Sequence, residues 1–432
     1  ALVPSASHRT NMGRAIVISN VQRSLAVASI PLALMCLTAC GGGGDANPTT
    51  GRQQPAGFVY VATVAAPDAS LAGAVLQYAI GTDGSLTSLS TTSIPAGPDP
   101  IAMASDPTGH YVYVANQGDG TISQYSAGAG GLLSALSPAT VSIGAYPPLA
   151  GYTLSVSPNG HALYVLGSLR DSVGILPATF IIQYAIGTDG TLSPLNPSFL
   201  TVASTGGRGS LTFDPGGAYA YLASTALIGV PQSPDGAVLQ FSVAGGGELT
   251  AMPSQTVVAP RNAVGVAISP SGRTAYVLSA CTDDACDGEI AVYGVGARGM
   301  LTPTGATVAT PGHVIPLSLV PDTSGSSAYL LTNLMGIDTN AGAVYQYTID
   351  NAGALVAATP PSLNVSSGAV TQFVFGPDLY ALSSNATGFA SGAPTGGHID
   401  RFHIGTGGLL STAGSISISA GYPIAMTVVA GH

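Results

Sequence analysis

The stretch "IAMASDPTGHYVYVANQGDGTISQYSAGAGGLLSALSPATVS" (Ile101–Ser142) decides the fold. It opens with a short apolar run and breaks at a Pro-Gly turn, "SDPTG". It resumes in the β-rich "YVYV", turns again, and alternates through "TISQYSA". A glycine-rich turn then leads into a final extended run. The period of two in "TISQYSA" places apolar residues on one face of a sheet. The module therefore reads as four short antiparallel strands.

The same module recurs along the chain. Its second-strand tyrosine reappears as Tyr60, Tyr113, Tyr164, Tyr221, Tyr276, Tyr329 and Tyr380, at intervals of 51 to 57 residues. The first turn recurs as "SPNG" (157–160), "DPGG" (214–217) and "SPSG" (269–272). The third strand recurs as "AVLQYAI" (74–80), "FIIQYAI" (180–186), "AVLQFSV" (237–243) and "AVYQYTI" (343–349). Asp83-Gly84 and Asp189-Gly190 mark hairpin turns that need positive φ. Self-similarity at this period signals a repeat architecture. No run outside the N-terminal region has convincing helical periodicity.

Seven four-stranded units laid out as flat sheets would leave exposed edges, which a radial arrangement avoids. The expected fold is all-β, a seven-bladed β-propeller. The ordered part starts at a second strand, Phe58, and ends with "GYPIAMTVVAG" (421–431), which reads as a first strand. The C-terminal strand is thus expected to pair with the N-terminal blade and close the ring. An open solenoid, the alternative, usually has shorter repeats.

Composition narrows the function classes. Of 432 residues 46% are hydrophobic and only 7% charged, and all ten basic residues are arginine. That much apolar content argues against disorder. A formal charge of −10 argues against nucleic-acid binding, which needs a basic face.

The N-terminus reads as an address. "LAVASIPLALMCLTA" (Leu25–Ala39) follows Arg14 and Arg23. It is shorter than the roughly 20 residues a membrane span needs, and it fits an export signal. Leu37-Thr38-Ala39-Cys40-Gly41 resembles the lipobox of bacterial lipoproteins, which implies cleavage before Cys40 and its lipidation; a plain secretory signal is the alternative. Residues 1–39 are thus expected to be the signal, with Met12 a candidate start. Residues 40–57, rich in Gly and Pro, read as a flexible tether, and 58–432 as the propeller. The implied location is the cell envelope, with the lipid as the only contact to a membrane. In that oxidising setting Cys281 and Cys286 are expected to form a local disulfide.

"YVYVAN" (111–116) after "DPTG", and "YVLS" after "SPSGRTA", resemble the YVTN-type repeats of bacterial lactonase-like β-propellers, a family that includes 6-phosphogluconolactonase. The resemblance covers about 58–432. It is specific for the fold and weaker for activity, because function resides in the site.

Ligands of propellers usually bind where connections enter the innermost strands. Eight residues before Pro107, Pro270 and Pro321 stand Asp99, Asn262 and His313. Arg208 and Arg261 lie within one residue of that level, and Tyr146 and Tyr422 enter comparable positions. Two Arg and one His at one mouth would attract a carboxylate, phosphate or developing oxyanion, with His313 a candidate general base. Neighbouring strand positions point to opposite faces, so these residues need not share a site. The resemblance implies a Gly-Pro-Arg-His pattern here. Gly206-Gly207-Arg208-Gly209 and Pro260-Arg261-Asn262 keep the arginine and lack the histidine, and no acid matches a family catalytic Glu.

The weaker clusters point elsewhere. Asp283, Asp284, Asp287 and Glu289 do not follow calcium-loop spacing and read as a solvated loop. His398, Arg401 and His403, on one third strand, are expected to face one side, where a metal is conceivable but a solvated face is preferred. His110, His161 and Arg273 read as surface residues. The expectation is therefore a monomeric binding or interaction module of the envelope, without cofactor or metal. Its partner would be an envelope protein, a glycan or a small anionic ligand; Asp99, Asn262, Tyr146 and Tyr422 would contact it. The alternative is a lactone hydrolase using His313, Arg208 and Arg261.

Overall fold

The computed structural model describes residues 54–64, 73–144, 149–169, 179–202, 204–205, 210–224, 226–227, 236–280, 288–310, 314–334, 342–366, 369–384, 396–419 and 421–431. The chain divides into two units, Ala1–Gly51 and Arg52–His432, and all of these residues belong to the second.

The described residues form seven four-stranded antiparallel sheets, the blades of a propeller. Blade 1 runs outward from Tyr422–Ala430 through Gly57–Val64 and Gly73–Ile80 to Leu86–Ala96. Blade 2 comprises Pro100–Ser105, Tyr111–Asn116, Thr121–Ala127 and Leu133–Ser142, and blade 3 Leu149–Val156, Ala162–Leu169, Thr179–Ile186 and Leu192–Val202. Blade 4 has Thr212–Phe213, Tyr219–Ser224, Gly236–Val243 and Leu249–Ala259; blade 5 has Ala263–Ile268, Thr274–Ser279, Glu289–Val295 and Leu301–Ala309. Blade 6 has Val314–Pro321, Ser327–Leu334, Gly342–Ile349 and Leu355–Asn364; blade 7 has Ala369–Phe375, Leu379–Ser384, Gly397–Ile404 and Leu410–Ile418.

Closure follows the expected route. The last strand pairs antiparallel with the first, from Gly57↔Ala430 to Val64↔Tyr422. Blade 4 departs from the simple repeat. Its innermost strand is reduced to two residues, and Ser204–Thr205 pairs with Ala226–Leu227 in a separate small ribbon. The only helical element among the described residues is a 3-10 turn at Thr406–Gly408. No described helix is long and apolar enough to cross a membrane.

The core is a ring of seven apolar clusters, one at each junction between successive blades. The junction of blades 7 and 1 is as well filled as the others: Val59, Val61 and Ile80 meet Tyr380, Leu382 and Ile399. The seven repeat tyrosines explain how the blades are fixed to one another. Each is fully buried, and each donates a hydrogen bond to a glycine carbonyl in the outer hairpin of the next blade. Tyr60 reaches Gly131 at 2.7 Å, Tyr113 Gly190 at 2.8 Å, Tyr164 Gly247 at 2.5 Å and Tyr221 Gly299 at 2.6 Å. Tyr276 reaches Gly353 at 3.0 Å, Tyr329 Gly408 at 2.7 Å and Tyr380 Gly84 at 2.8 Å. The acceptor glycines are required twice over. Gly190 has φ of 79°, and a Cβ on it would run into the ring of Tyr111.

Directly across the strand from five of these tyrosines lies a buried glutamine, as in the pair Tyr113↔Gln124. Gln124 Nε2 donates to the Pro138 carbonyl of its own blade at 3.0 Å, while its Oε1 accepts from Leu192 N of the next blade at 2.7 Å. Gln77, Gln183, Gln240 and Gln346 repeat this double bond. Blade 5 has Val292 in that place and blade 7 has Arg401. Arg401 pairs with buried Asp378 and donates to the Asp83 carbonyl in blade 1. A different chemistry thus secures the junction where the ring closes.

Candidate site at the channel mouth

The innermost strands of the seven blades enclose a channel with a cavity of about 540 Å³. It is shaped by a feature with no signature in the sequence. The innermost strands of blades 1, 2, 3, 5, 6 and 7 each carry a β-bulge within their first few residues. A bulge adds one unpaired residue and re-aims its side chain. Ile424, Ile101, Tyr152, Val264 and Leu317 sit at these bulges, and all five line the cavity. They form an apolar collar just inside the mouth.

Above this collar stand the residues expected from counting back from the prolines. Asp99, Asn262 and Tyr422 each lie two residues before a bulge residue, at Ile101, Val264 and Ile424. Asp99 and Asn262 have φ of 51° and 57°, and they are the only described non-glycine residues in the left-handed region. In blade 1 the left-handed residue lies one position earlier: it is Gly421, φ 82°, immediately before Tyr422. Aspartate and asparagine tolerate this conformation best among L-residues, which explains the residue types. The turn is fastened to the end of the neighbouring second strand. Gln117 N donates to the Asp99 carbonyl at 2.8 Å, Gly118 N to Pro98 at 3.0 Å, and Ala280 N to Asn262 at 3.0 Å.

Asp99, Asn262 and Tyr422 are half-buried, and Arg261 is exposed beside Asn262. The Tyr422 hydroxyl accepts a 2.9 Å hydrogen bond from the buried Ser384 hydroxyl. The blade order places these groups around the ring: Tyr422 on blade 1, Asp99 on blade 2, and Arg261 and Asn262 on blade 5, three blades from Asp99. An acid, a base, an amide and a phenol thus stand at the entrances to three of the innermost strands, none of them among the residues that line the cavity.

Arg208, His313 and Tyr146 lie outside the described residues, as do Cys40, Cys281 and Cys286 and the acids 283, 284 and 287. The third-strand cluster requires a correction. Arg401 and His403 do share a face, and His403 Nδ1 lies 2.9 Å from Asp378 Oδ1. His398, an odd number of residues from both, points the other way and approaches the Ser417 hydroxyl at 3.5 Å. The two histidines therefore do not converge on a metal position. His110, His161 and Arg273 are exposed on the face opposite the mouth.

Sequence reasoning missed the collar, because a bulge is one extra residue in a strand and leaves no compositional mark. It also missed the glutamine clamp, although its signal, a glutamine before an aromatic residue in five third strands, was available.

A closed ring of seven four-stranded blades around one channel defines a seven-bladed β-propeller. A model of the family "Lactonase, 7-bladed beta-propeller" matches residues 47–308. That is more than half the chain, and the protein belongs to this family. Its fold is similar to that of a periplasmic gluconolactonase of Pseudomonas aeruginosa, at TM-score 0.63 and 16% identity over 87% of this chain and 100% of the other. It is also similar to 6-phosphogluconolactonase-like proteins of Bacteroides uniformis (TM-score 0.62, 16% identity, 87% and 100% covered) and Bacteroides fragilis (TM-score 0.61, 16% identity, 87% and 99% covered). No curated protein sequence matches the chain.

Proposed function

We propose that this protein hydrolyses a lactone ring at the channel mouth. The observation that carries the reading is the pair of left-handed, half-buried polar residues, Asp99 and Asn262, held over the apolar collar of one cavity. Non-glycine residues in sparsely populated backbone regions cluster at functional sites. Family membership supplies the reaction class. In this reading Arg261, with Arg208, holds the carbonyl oxygen as it becomes an oxyanion, and Asn262 adds an amide donor. His313 assists proton transfer. Tyr422 and Tyr146 contact the ring substituents. No metal or cofactor is required.

The full chain should open lactones from a panel comprising γ-butyrolactone, δ-valerolactone and D-glucono-1,5-lactone. Turnover should fall at least tenfold in Arg261→Ala, Arg208→Ala and His313→Ala, with circular dichroism unchanged. Absence of turnover across the panel, or full activity in all three variants, refutes the assignment.

A second reading, a binding module of the cell envelope, is favoured by one observation: no described residue lining the cavity is charged. It requires tight binding of a glycan, a small anion or an envelope protein without turnover. In both readings the chain is exported as a monomer and anchored through Cys40. The Leu25–Ala39 run and the lipobox-like sequence support this, as does the fold's likeness to a periplasmic protein. Loss of incorporated labelled fatty acid in Cys40→Ala tests the anchor.

A further inference from the structure

We propose that Asp99, in place of His313, is the general base that activates water for lactone opening, an inference that rests on the hydrolase reading above. The argument starts from how this protein uses its aspartates. Every other described aspartate commits its carboxylate to a local bond. Asp83, Asp119 and Asp189 accept from the backbone and hydroxyl of a residue two positions on. Asp106, Asp214, Asp322 and Asp350 cap the amides of tight turns. Asp400 holds Ser366, and Asp378 holds Arg401 and His403. The Asp99 carboxylate makes no such bond to any described residue. Capping and pairing, the two uses of aspartate throughout this fold, do not account for it.

Its backbone is nonetheless tightly constrained. Asp99 sits at φ 51° before Pro100, and a following proline further narrows the backbone conformations open to a residue. The conformation is maintained by the amides of Gln117 and Gly118. Gly118 lies so close to Pro98 that a Cβ there would contact it at 2.9 Å. The connection between the second and third strands of blade 2 spans only residues 117–120, so its own blade provides no long loop above Asp99. A half-buried residue whose carboxylate has no structural partner and whose backbone is fixed thus stands at the entrance to the innermost strand, two residues before the collar residue Ile101. Fixed placement of a catalytic group on a rigid support is what an efficient site requires.

The step balances without a further reactant. Asp99 accepts a proton from water as the water oxygen bonds to the lactone carbonyl carbon. The carbonyl electron pair moves onto oxygen, whose developing charge Arg261 of blade 5 would hold in the reading above. As the carbonyl re-forms, the bond between that carbon and the ring oxygen breaks. The departing ring oxygen takes the proton back from Asp99. Lactone and water become a hydroxy acid, and the carboxylate is regenerated.

The test uses the full chain with D-glucono-1,5-lactone and δ-valerolactone. Asp99→Asn keeps the left-handed turn, since asparagine tolerates it, and removes the base. Asp99→Gly keeps the backbone and opens space. We expect kcat to fall by about 10²–10⁴-fold in both with KM within about threefold of the parent, and added formate to restore part of the activity of Asp99→Gly. Asp99→Asn retaining parental kcat overturns the base role and leaves the hydrolase reading standing. So does a loss confined to KM with no formate rescue, which would make Asp99 a binding group. If the parent protein turns over neither lactone, the hydrolase reading and the base role fall together.

Discussion

Tyr111 and Tyr113 provide an internal control for the proposed blade clamp. Both are on the second strand of blade 2, and both donate to carbonyls of one hairpin in blade 3. Tyr113 bonds Gly190 at 2.8 Å in a fully buried setting, and Tyr111 bonds Thr188 at 3.0 Å in an exposed one. Tyr113→Phe removes the donor and leaves the Gly190 carbonyl buried and unsatisfied, which costs about 1–3 kcal/mol. In Tyr111→Phe, water replaces the lost donor and the cost stays within about 0.5 kcal/mol. At about 2.1 cal/mol/K per residue, the unfolding entropy of a unit this size is near 0.8 kcal/mol/K. The expected fall in Tm is therefore about 1–4 °C for Tyr113→Phe and under about 1 °C for Tyr111→Phe. Differential scanning calorimetry of the two variants against the parent measures both. Equal shifts, or no shift for Tyr113→Phe, would show that the clamp contributes nothing through burial and refute the reasoning.

The remaining predictions concern the same ring. Burial raises the clamp hydroxyls, those of Tyr276, Tyr329 and Tyr380 to about 12; the folded form therefore retains protons that the unfolded chain releases near pH 10. Stability is full below pH 10 and declines as pH rises through the folded values. Absorbance at 295 nm should show these tyrosines ionising together with loss of the β signal in circular dichroism; free titration near pH 10 with the fold intact contradicts this. Asp378→Asn leaves the mostly buried Arg401 without its partner and should cost about 3 kcal/mol by denaturant titration. Adding Arg401→Gln, the residue type five other blades use there, should recover part of that loss; no recovery would mean that the closing junction cannot use the common clamp. Gly190→Ala should destabilise by at least about 1 kcal/mol, through its φ of 79° and the ring of Tyr111; a neutral result would show that the hairpin can shift.

The fold was readable because its determinants repeat. A tyrosine recurring every 51 to 57 residues reports a clamp made seven times, and the strand-like C-terminal residues reveal closure before any coordinate is known. The entrances to the innermost strands were equally legible, since counting back from Pro107 and Pro270 lands on Asp99 and Asn262, the residues that adopt left-handed turns. What stayed hidden depends on register. The bulges that turn Ile101 and Val264 into the channel change the pairing without changing the residue types. The opposite orientations of His398 and Arg401 follow from strict alternation, which treating the strand's three basic residues as one cluster obscured. The role of Asp99 emerged only by contrast, once the other described carboxylates were seen to be engaged.

The order of the strands in blade 1 has a consequence for biogenesis. The innermost strand, Tyr422–Ala430, is the last described strand in the chain, while its partners Gly57–Val64 and Gly73–Ile80 are the first. A ribosome or a translocation pore, delivering the chain from its N-terminus, releases blades 2 to 7 before blade 1 can be completed. Until then Gly57–Val64 carries an unpaired edge, and the junction of blades 7 and 1 lacks Met426. Pairing ends so distant in sequence is slow. The ring therefore stays an open arc until Tyr422–Ala430 has emerged, and a chain cut short at Gly421 would leave that arc unclosed.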